Sequence, residues 1–220
     1  MSIDLIFSTP LFANIPIDER KDFIKKLDFT IKKVKKGEHV AYQGDKINYL
    51  YVLTKGKVKA EMVSAVGLVL FIEELSAPYP LAAAFLFTNQ NKFPVNILAL
   101  EATEVVAITK ESIERQLSNN LFFLRNFLSF NANRAHFLSE RLRIFSQRSI
   151  KSKLAYYILI HATSTEFRFT TTISSLSEYF GVTRPSLSRA ISEMEKDGIL
   201  SYKSGIWKIL DLRKLDEIIQ

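Results

Sequence analysis

Hydrophobic positions along the chain change their period several times, and each period predicts a different kind of element. Residues 16–27 place their apolar side chains on one face of a helix. Residues 29–110 then alternate short apolar runs with glycine turns, which predicts an antiparallel β-roll of jelly-roll type. With the helical patterns that follow, the predicted fold class is α+β.

A heptad pattern follows the roll. Its positions, separated by alternating steps of 4 and 3 residues, are Leu124, Leu128, Asn131, Ala135, Leu138, Leu142 and Phe145. Such a seam predicts a long dimerisation helix that pairs with a second copy of the chain. A neighbouring stripe is expected to face the roll and consists of Phe123, Phe127, Phe130, Phe137 and Ile144. The alternative is one wide buried face in a monomer, because ordinary cores also contain such helices.

The C-terminal third has the pattern of a winged helix. Residues 146–149 interrupt the apolar pattern and are a predicted hinge, and Ile150–His161 then reads as a helix. Residues 165–172 are a predicted strand, and residues 199–202 and 206–210 are predicted to form the wing hairpin. The predicted domains are therefore residues 1–118 for effector sensing, 119–148 for dimerisation and 149–220 for DNA binding.

A helix-turn-helix pattern lies within the third domain. Gly181 allows a left-handed residue at the end of its first helix, and Thr183 is a favourable cap for the second. Arginine can bind guanine O6 and N7 through two hydrogen bonds in the major groove. The candidate DNA-binding residues are Thr183, Arg184, Ser186, Ser188, Arg189 and Lys203. An ordinary helical pair with a polar outer face is the alternative.

Composition narrows the function classes. The formal net charge of +7 fits a polyanionic partner, and the absence of cysteine excludes disulfides, thiolate zinc sites and a cysteine-ligated iron–sulfur cluster. The N-terminus lacks a signal-peptide pattern, and charges and prolines interrupt the most apolar region, so we expect a cytoplasmic protein without a membrane partner. No phosphate loop, nucleophile elbow or His/carboxylate constellation is present. We therefore expect no catalytic residues and no enzyme activity.

Four glycine-turn and strand segments, followed by the helix-turn-helix, carry a family resemblance. These segments are Lys36-Gly37-Glu38, Gln43-Gly44-Asp45, Leu50-Tyr51-Val52-Leu53 and Lys55-Gly56-Lys57-Val58. In this order the chain resembles the Crp/Fnr superfamily of bacterial transcription regulators. The resemblance implies a cyclic-nucleotide-binding-type roll, a homodimer, and a winged helix that binds double-stranded DNA at an inverted-repeat operator. It also implies contact with RNA polymerase.

The resemblance also implies where an effector would bind. Cyclic-nucleotide binders of the family hold ribose with a Gly-Glu pair and phosphate with an Arg-Ser pair, but the corresponding positions are Ala82-Ala83 and Phe93-Pro94. We therefore expect no cyclic nucleotide, because a buried phosphate needs a cation or several N–H donors. The expected pocket lining is apolar and consists of Leu81, Phe85, Phe87, Phe93 and Leu138. A small hydrophobic ligand, a haem and a filled core are all compatible with it.

The same resemblance bears on how DNA is read. Family members commonly carry a Glu near the start of the recognition helix, whereas Pro185 occupies that position here. Ser188-Arg189 keeps the family's Ser-Arg pairing, and Arg184 lies where cyclic-AMP-responsive members meet guanine. Cytosine readout at the Pro185 step should therefore be lost or relaxed, and Arg189 is the expected guanine-binding residue.

Three histidines show no metal-ligand spacing, so no metal site is expected. His136, with Met62 or Met1, could still ligate a haem iron. Residues 77–82 and 91–95 are also similar to a branch of the family tied to nitrosative-stress control. The predicted function is a sequence-specific transcriptional regulator controlled by a signal other than a cyclic nucleotide. Two alternatives are an effector-independent DNA-binding dimer and a haem-dependent nitric oxide or redox sensor.

Overall fold

The computed structural model describes residues 2–169 and 171–219. Compact packing divides the chain into two units, residues 1–136 and 137–220. A 3-10 helix, Ser2–Ser8, opens the first unit, and the helix α1 spans Ile17–Lys25. This helix is shorter than the 16–27 expected, because Pro16 precedes it and Lys26 ends it as the C-cap.

Among the described residues of the first unit, eight strands are present. They are β1 (Phe29–Val34), β2 (His39–Ala41), β3 (Tyr49–Lys55), β4 (Lys57–Val63), β5 (Val69–Ser76), β6 (Tyr79–Leu81), β7 (Asn96–Ala99) and β8 (Thr103–Thr109). They form two four-stranded antiparallel sheets with the orders β1-β8-β3-β6 and β2-β7-β4-β5. A short 3-10 helix, Ala83–Phe85, follows β6. The predicted β-roll is confirmed, and β5 lies at the edge of its sheet.

Two helices follow the roll. The helix α2 spans Lys110–Asn119 and is capped by the side chain of Thr109, and α3 spans Leu121–Ser146. The division between the two compact units falls within α3. Phe123, Phe127 and Phe130 of its predicted roll-facing stripe are buried in the core of the first unit, as their spacing along one helix face predicts.

The second unit contains the C-terminal elements. They are α4 (Ile150–His161), β9 (Glu166–Phe167), α5 (Ile173–Phe180), α6 (Arg184–Lys196), β10 (Leu200–Lys203), β11 (Ile206–Ile209) and α7 (Leu212–Glu217). A capping box of Ser149 and Ser152 starts α4. The prediction that Ile144 of α3 faces the roll is wrong, because Ile144 is buried in the core of this second unit. The strands form an antiparallel sheet in the order β10-β11-β9. The predicted winged helix and the α+β fold class are therefore confirmed.

One strand is much shorter than the pattern indicated. The predicted strand at residues 165–172 is reduced to Glu166–Phe167, because only these residues pair with Lys208 and Trp207 of β11. Phe169 instead packs against the ring of Tyr157. Thr170, which also belonged to the predicted strand, lies outside the described residues. Among the helices described, none is long and apolar enough to span a membrane.

Candidate nucleic-acid interface

The turn between α5 and α6 is built from local backbone geometry. Gly181 has a φ of 66° in the left-handed region and ends α5, with its amide donating to the Glu178 carbonyl. The amide of Val182 donates to the Ser177 carbonyl at 3.0 Å. These two hydrogen bonds fix the short turn that sets the direction of the next helix.

The helix α6 begins at a side-chain cap and divides into two faces. Thr183 accepts a hydrogen bond from the Ser186 amide, and the two hydroxyl oxygens lie 2.8 Å apart. Pro185 is tolerated in the first turn, where amide groups lack intrahelical partners. Four residues of α6 are buried against the unit core: Leu187, Ala190, Ile191 and Met194. The helix is therefore held along one side and leaves its other side in solvent.

The solvent face of α6 carries the predicted base-reading side chains. Arg184, Ser188 and Arg189 are all exposed. Among the described residues, neither Arg184 nor Arg189 has a carboxylate close enough for an ion pair. These two guanidinium groups therefore keep their donors available for an external acceptor.

A surface cleft of about 350 Å³ lies between the start of α4 and α6. Arg189 lines it, together with Ser149 and Lys151 from the α4 side. Lys151 pairs with Glu193 at 3.0 Å and with Asp197 at 3.5 Å, and the hydrogen bond to Glu193 is the main cause of its raised pKa. The carboxylate of Glu193, which lines the cleft, is thus paired with Lys151 within the unit. Arg189 has no such partner among the described residues.

The wing is a tight hairpin. Ser204 and Gly205 have φ values of 51° and 79°, so both turn residues are left-handed, as a two-residue hairpin of type I′ requires. Lys203 stands at the turn and is exposed. Lys208 differs, because it faces Glu166 across the sheet with their charged atoms 3.9 Å apart.

The residues expected to line an effector pocket are placed in different surroundings. Leu81 and Phe93 are buried, and the Phe93 ring lies 5.5 Å from that of Tyr51. Phe85 is partly buried against the same core, while Phe87 is more exposed and lies 5.8 Å from the Phe127 ring. Leu138 is exposed and belongs to the second compact unit.

The positions that correspond to the nucleotide-binding pairs provide no cation. Ala83 and Phe93 are buried in the hydrophobic core, and Ala82 adopts a left-handed φ of 50° before the short 3-10 helix. The amide of Phe93 is already used, because it donates to the Asp45 carbonyl at 2.9 Å. These residues pack the roll with apolar groups where a sugar phosphate would need donors.

Comparison with known proteins agrees with this architecture. Residues 31–120 match the model of the cyclic nucleotide-binding domain, and residues 152–218 match that of the Crp-like helix-turn-helix domain. Both matches fall on the elements described above, in the same order. The chain belongs to the Crp/Fnr family. It is a DNA-binding transcriptional regulator of the Crp/Fnr type.

Similar proteins extend over nearly the whole chain. The fumarate and nitrate reduction regulatory protein of Vibrio cholerae is 25% identical over 93% of this chain and 85% of the relative. The HTH-type transcriptional regulator ArcR of Staphylococcus epidermidis is 24% identical over 90% of this chain and 89% of the relative. A CooA mutant structure from Carboxydothermus hydrogenoformans shares the fold, with a TM-score of 0.64 at 15% identity, covering 96% and 100% of the two chains.

The sequence pattern missed an ion pair between the roll and α3. Arg134 of α3 donates two hydrogen bonds to Glu73 of β5, one of them 2.8 Å long from Nη1 to Oε2. Both side chains are mostly buried, and Tyr79 also interacts with Arg134. Burial raises the pKa of the Tyr79 phenol. A charged residue midway along an amphipathic helix predicts a solvent-facing position, so the pattern gave no signal of this contact.

A second missed residue is Arg141, near the end of α3. It is buried, and its guanidinium lies 4.6 Å from the ring centre of Tyr179 and 5.4 Å from that of Phe145. Arginine can stack on aromatic rings in this way. Because Tyr179 lies on α5, Arg141 attaches the last turns of α3 to the helix-turn-helix.

The predicted dimer seam is largely exposed in the single chain. Leu128, Leu138 and Leu142 have exposed fractions of 60%, 41% and 70%. Ala135 is exposed, while Leu124, Asn131 and Phe145 are intermediate. The amide nitrogen of Asn131 donates to the Phe127 carbonyl of its own helix at 2.8 Å.

The histidines occupy three unrelated environments. His39 stacks on Tyr42, His136 is exposed on α3, and His161 packs on Tyr157 with ring centres 4.4 Å apart. Burial lowers the pKa of His161 and favours its neutral form. Within residues 2–169 and 171–219, no three His, Asp or Glu side chains are arranged to hold a metal ion. Met62 is partly exposed on β4, and Met1 lies outside the described residues.

Proposed function

We propose that this regulator is a homodimer that binds an inverted-repeat operator and responds to a signal other than a cyclic nucleotide. The observation that carries the proposal is the solvent face of α6, where two arginines stand without a carboxylate partner among the described residues. A helix that is anchored on one side and presents arginine and serine on the other fits the major groove. The family makes RNA polymerase the expected protein partner.

The candidate DNA-binding residues of α6 and its N-cap have proposed roles. Arg189 reads a guanine through two hydrogen bonds, and Ser188 supports an adjacent base. Arg184 binds a second guanine or a nearby phosphate. Thr183 and Ser186 hold the start of α6, since their hydroxyl groups already interact, and contact the DNA backbone from there.

Operator selection tests these roles. Operators are selected from random duplexes with wild type, Arg184→Ala and Arg189→Ala, and the affinities are then measured over a salt series. Removal of a bidentate base contact should cost about 1–3 kcal/mol and relax preference at one base pair of each half-site. Removal of a phosphate contact should weaken binding to all sequences alike. If Arg189→Ala keeps every base preference, Arg189 is a backbone contact and the proposed reading of α6 is wrong.

The proposal of a dimer is based on the exposed leucines of α3. Leu128 and Leu142 are apolar and largely uncovered in a single chain, yet they repeat at heptad spacing. Pairing of two such helices removes this apolar surface from water. The two-fold axis of the pair then dictates the inverted repeat.

The proposal that the signal is not a cyclic nucleotide is based on the residues of the sensor roll. The alanines and Phe93 at the nucleotide-binding positions offer no cation to a phosphate, so cyclic AMP and cyclic GMP should not bind at micromolar concentrations. Isothermal calorimetry with each nucleotide measures this, and a micromolar binding isotherm would refute it. The packing of Leu81, Ala83 and Phe93 also favours a second candidate, a regulator without an effector. If that candidate is correct, protein that has been purified in denaturant, stripped of ligands and refolded should bind the operator as tightly as natively purified protein.

A further inference from the structure

The two sheets of the roll each end in an edge strand, and these two strands follow one another in the chain. The strand β6 ends the order β1-β8-β3-β6, and β5 ends the order β2-β7-β4-β5. Only residues 77 and 78 lie between them. Neither ladder of these described strands joins β5 to β6, so side chains hold this side of the roll together.

A β-bulge directs Glu73 of β5 to the core side of its sheet. The register of β4 with β5 shifts after Ala60, where β5 contains one extra residue, Ile72. Glu73 consequently lies opposite Ala60, which is buried together with Val58 on the same face. Bulges are a common means of changing the direction of a side chain. A carboxylate is thus placed where the pattern of the strand alone would put an apolar group.

Arg134 of α3 contacts this carboxylate from the helix. It follows Phe127 by 7 residues and Phe130 by 4, and therefore shares the face of α3 that is buried on the roll. Its guanidinium donates two hydrogen bonds to Glu73 on β5 and interacts with Tyr79 on β6. One side chain of the helix thus joins the edge strands of both sheets.

The same turns of α3 carry part of the predicted dimer seam. Leu128 and Ala135 are exposed, whereas Phe127 and Phe130 are buried. A rotation of α3 about its axis would exchange the buried stripe for the exposed seam. Contacts between apolar rings oppose such a rotation only weakly, because they are not directional. Two parallel hydrogen bonds between a guanidinium and a carboxylate are directional, so the Arg134 contact fixes the rotation more strictly.

We propose that Glu73, Tyr79 and Arg134 fix the rotation of α3 on the roll, so that the chain reaches its dimeric, DNA-binding form without a bound ligand. The three side chains make the bridge between roll and helix that an effector would otherwise provide, and a controlling signal acts by separating them. Arg134 is therefore a positioning residue. The inference rests on the proposed function, because its consequences are measured through dimerisation and operator binding.

The test uses full-length protein that has been purified in denaturant, stripped of ligands and refolded. Analytical ultracentrifugation gives the dimer dissociation constant, and fluorescence anisotropy gives the affinity for the operator selected with wild type. Wild type should bind, whereas Glu73→Gln and Arg134→Gln should lose about tenfold or more in operator affinity. The matched control is Glu74→Gln, because Glu74 is the next residue of β5 and forms a half-exposed ion pair with Lys57. This control should behave as wild type.

A double variant tests whether Glu73 and Arg134 act through one contact. If they do, Glu73→Gln/Arg134→Gln should lose no more operator affinity than the weaker of the two single variants. A loss equal to the product of the two single losses would contradict the shared contact. Tyr79→Phe removes one hydroxyl group and keeps the ring, so it should remain folded and lose about twofold or more.

Two further results would overturn the inference. The first is wild-type dimerisation and operator affinity in folded Arg134→Gln protein, even if its melting temperature falls, because the contact would then only stabilise the roll. Circular dichroism at the assay temperature checks folding, and if the charge variants do not fold, wild-type affinity in Tyr79→Phe has the same meaning. The second is stripped wild type that does not bind an operator bound by natively purified protein.

Failure of this inference is separable from failure of the proposed function. If natively purified wild type is a dimer with a specific operator and Arg134→Gln matches it in both measurements, only the inference about α3 is wrong. If natively purified wild type is monomeric or binds all DNA sequences alike, the proposed function is wrong.

Discussion

Gly56 shows how one residue fixes the hairpin between β3 and β4. Its φ is +89°, and a Cβ atom there would lie 2.7 Å from Thr103 Oγ1 and 2.8 Å from the Ala102 carbonyl oxygen. Gly44 has a similar φ of +92°, but its Cβ position has no neighbour within 4 Å. The two glycines therefore share the left-handed backbone and differ in the space around them.

Alanine substitutions separate these two effects. Gly44→Ala should lower the free energy of unfolding by about 1–2 kcal/mol, the cost of a left-handed alanine. Gly56→Ala should lower it by about 1–3 kcal/mol more, because Thr103 and the backbone must also move. Urea denaturation measures both. Equal effects would show that the hairpin yields to the added methyl group without cost.

The residues that end or cap helices were the most predictable from the sequence. The αL position of Gly181 and the cap at Thr183 follow from residue type alone, and both are present. Glu73 and Arg134 were not predictable, because their pairing joins β5 to α3 across 61 residues of sequence. Only packing of the helix on the roll reveals that these charges are shielded from water.

At the scale of elements, Asp28 links the start of β1 to α2. Its carboxylate accepts hydrogen bonds from Arg115 at 2.8 Å and from the Ser112 hydroxyl at 3.2 Å. The bond from Arg115, followed by that from Ser112, lowers the pKa of Asp28 below its ordinary value of 3.8. The ionised carboxylate is therefore favoured by folding.

The stabilisation from Asp28 should depend on pH. A lowered pKa in the folded state gives stability that is present above the unfolded-state pKa and is lost as pH falls through the folded-state pKa. Asp28→Asn should therefore melt at a lower temperature than wild type at pH 7. The difference should shrink as pH falls below 3.8. Melting curves over a pH series measure this, and a difference independent of pH would contradict the assignment.

The long helix α3 tests the predicted division of helix faces. Sequence spacing separated a stripe that packs on the roll from a seam that pairs with a second copy, and Phe123, Phe127 and Phe130 of the stripe are buried. The proposed seam differs from the stripe, because its partner surface would belong to a second copy of the chain and not to the roll.

Charge substitution tests the seam. Leu128→Glu should dissociate the dimer by placing like charges across an apolar seam. Ser129→Glu, exposed at the next position, is the matched control, and analytical ultracentrifugation should find it dimeric. A dimeric Leu128→Glu variant would refute the seam.

The whole regulator should impose a fixed operator spacing. In a two-fold dimer, the two α6 helices enter successive major grooves on one side of the duplex, about 34 Å apart. Inserting about 5 base pairs between the half-sites turns one of them to the opposite side and should abolish cooperative dimer binding. Gel shifts with spacer variants measure the effect. Equal affinity for the original and the altered spacing would argue against a dimer whose two α6 helices are held at a fixed distance.

The edge position of β5 has a consequence for handling the protein at high concentration. The strand begins beside a hairpin tip where Val66, Leu68 and Val69 have exposed fractions of 80%, 70% and 60%. An open strand edge with apolar side chains is a template for pairing with another polypeptide, and natural proteins usually protect such edges with lysine or proline. Neither residue type occurs between Val63 and Ser76. We therefore expect association through this hairpin to limit the solubility of the purified regulator, although the chain as a whole carries a formal net charge of +7.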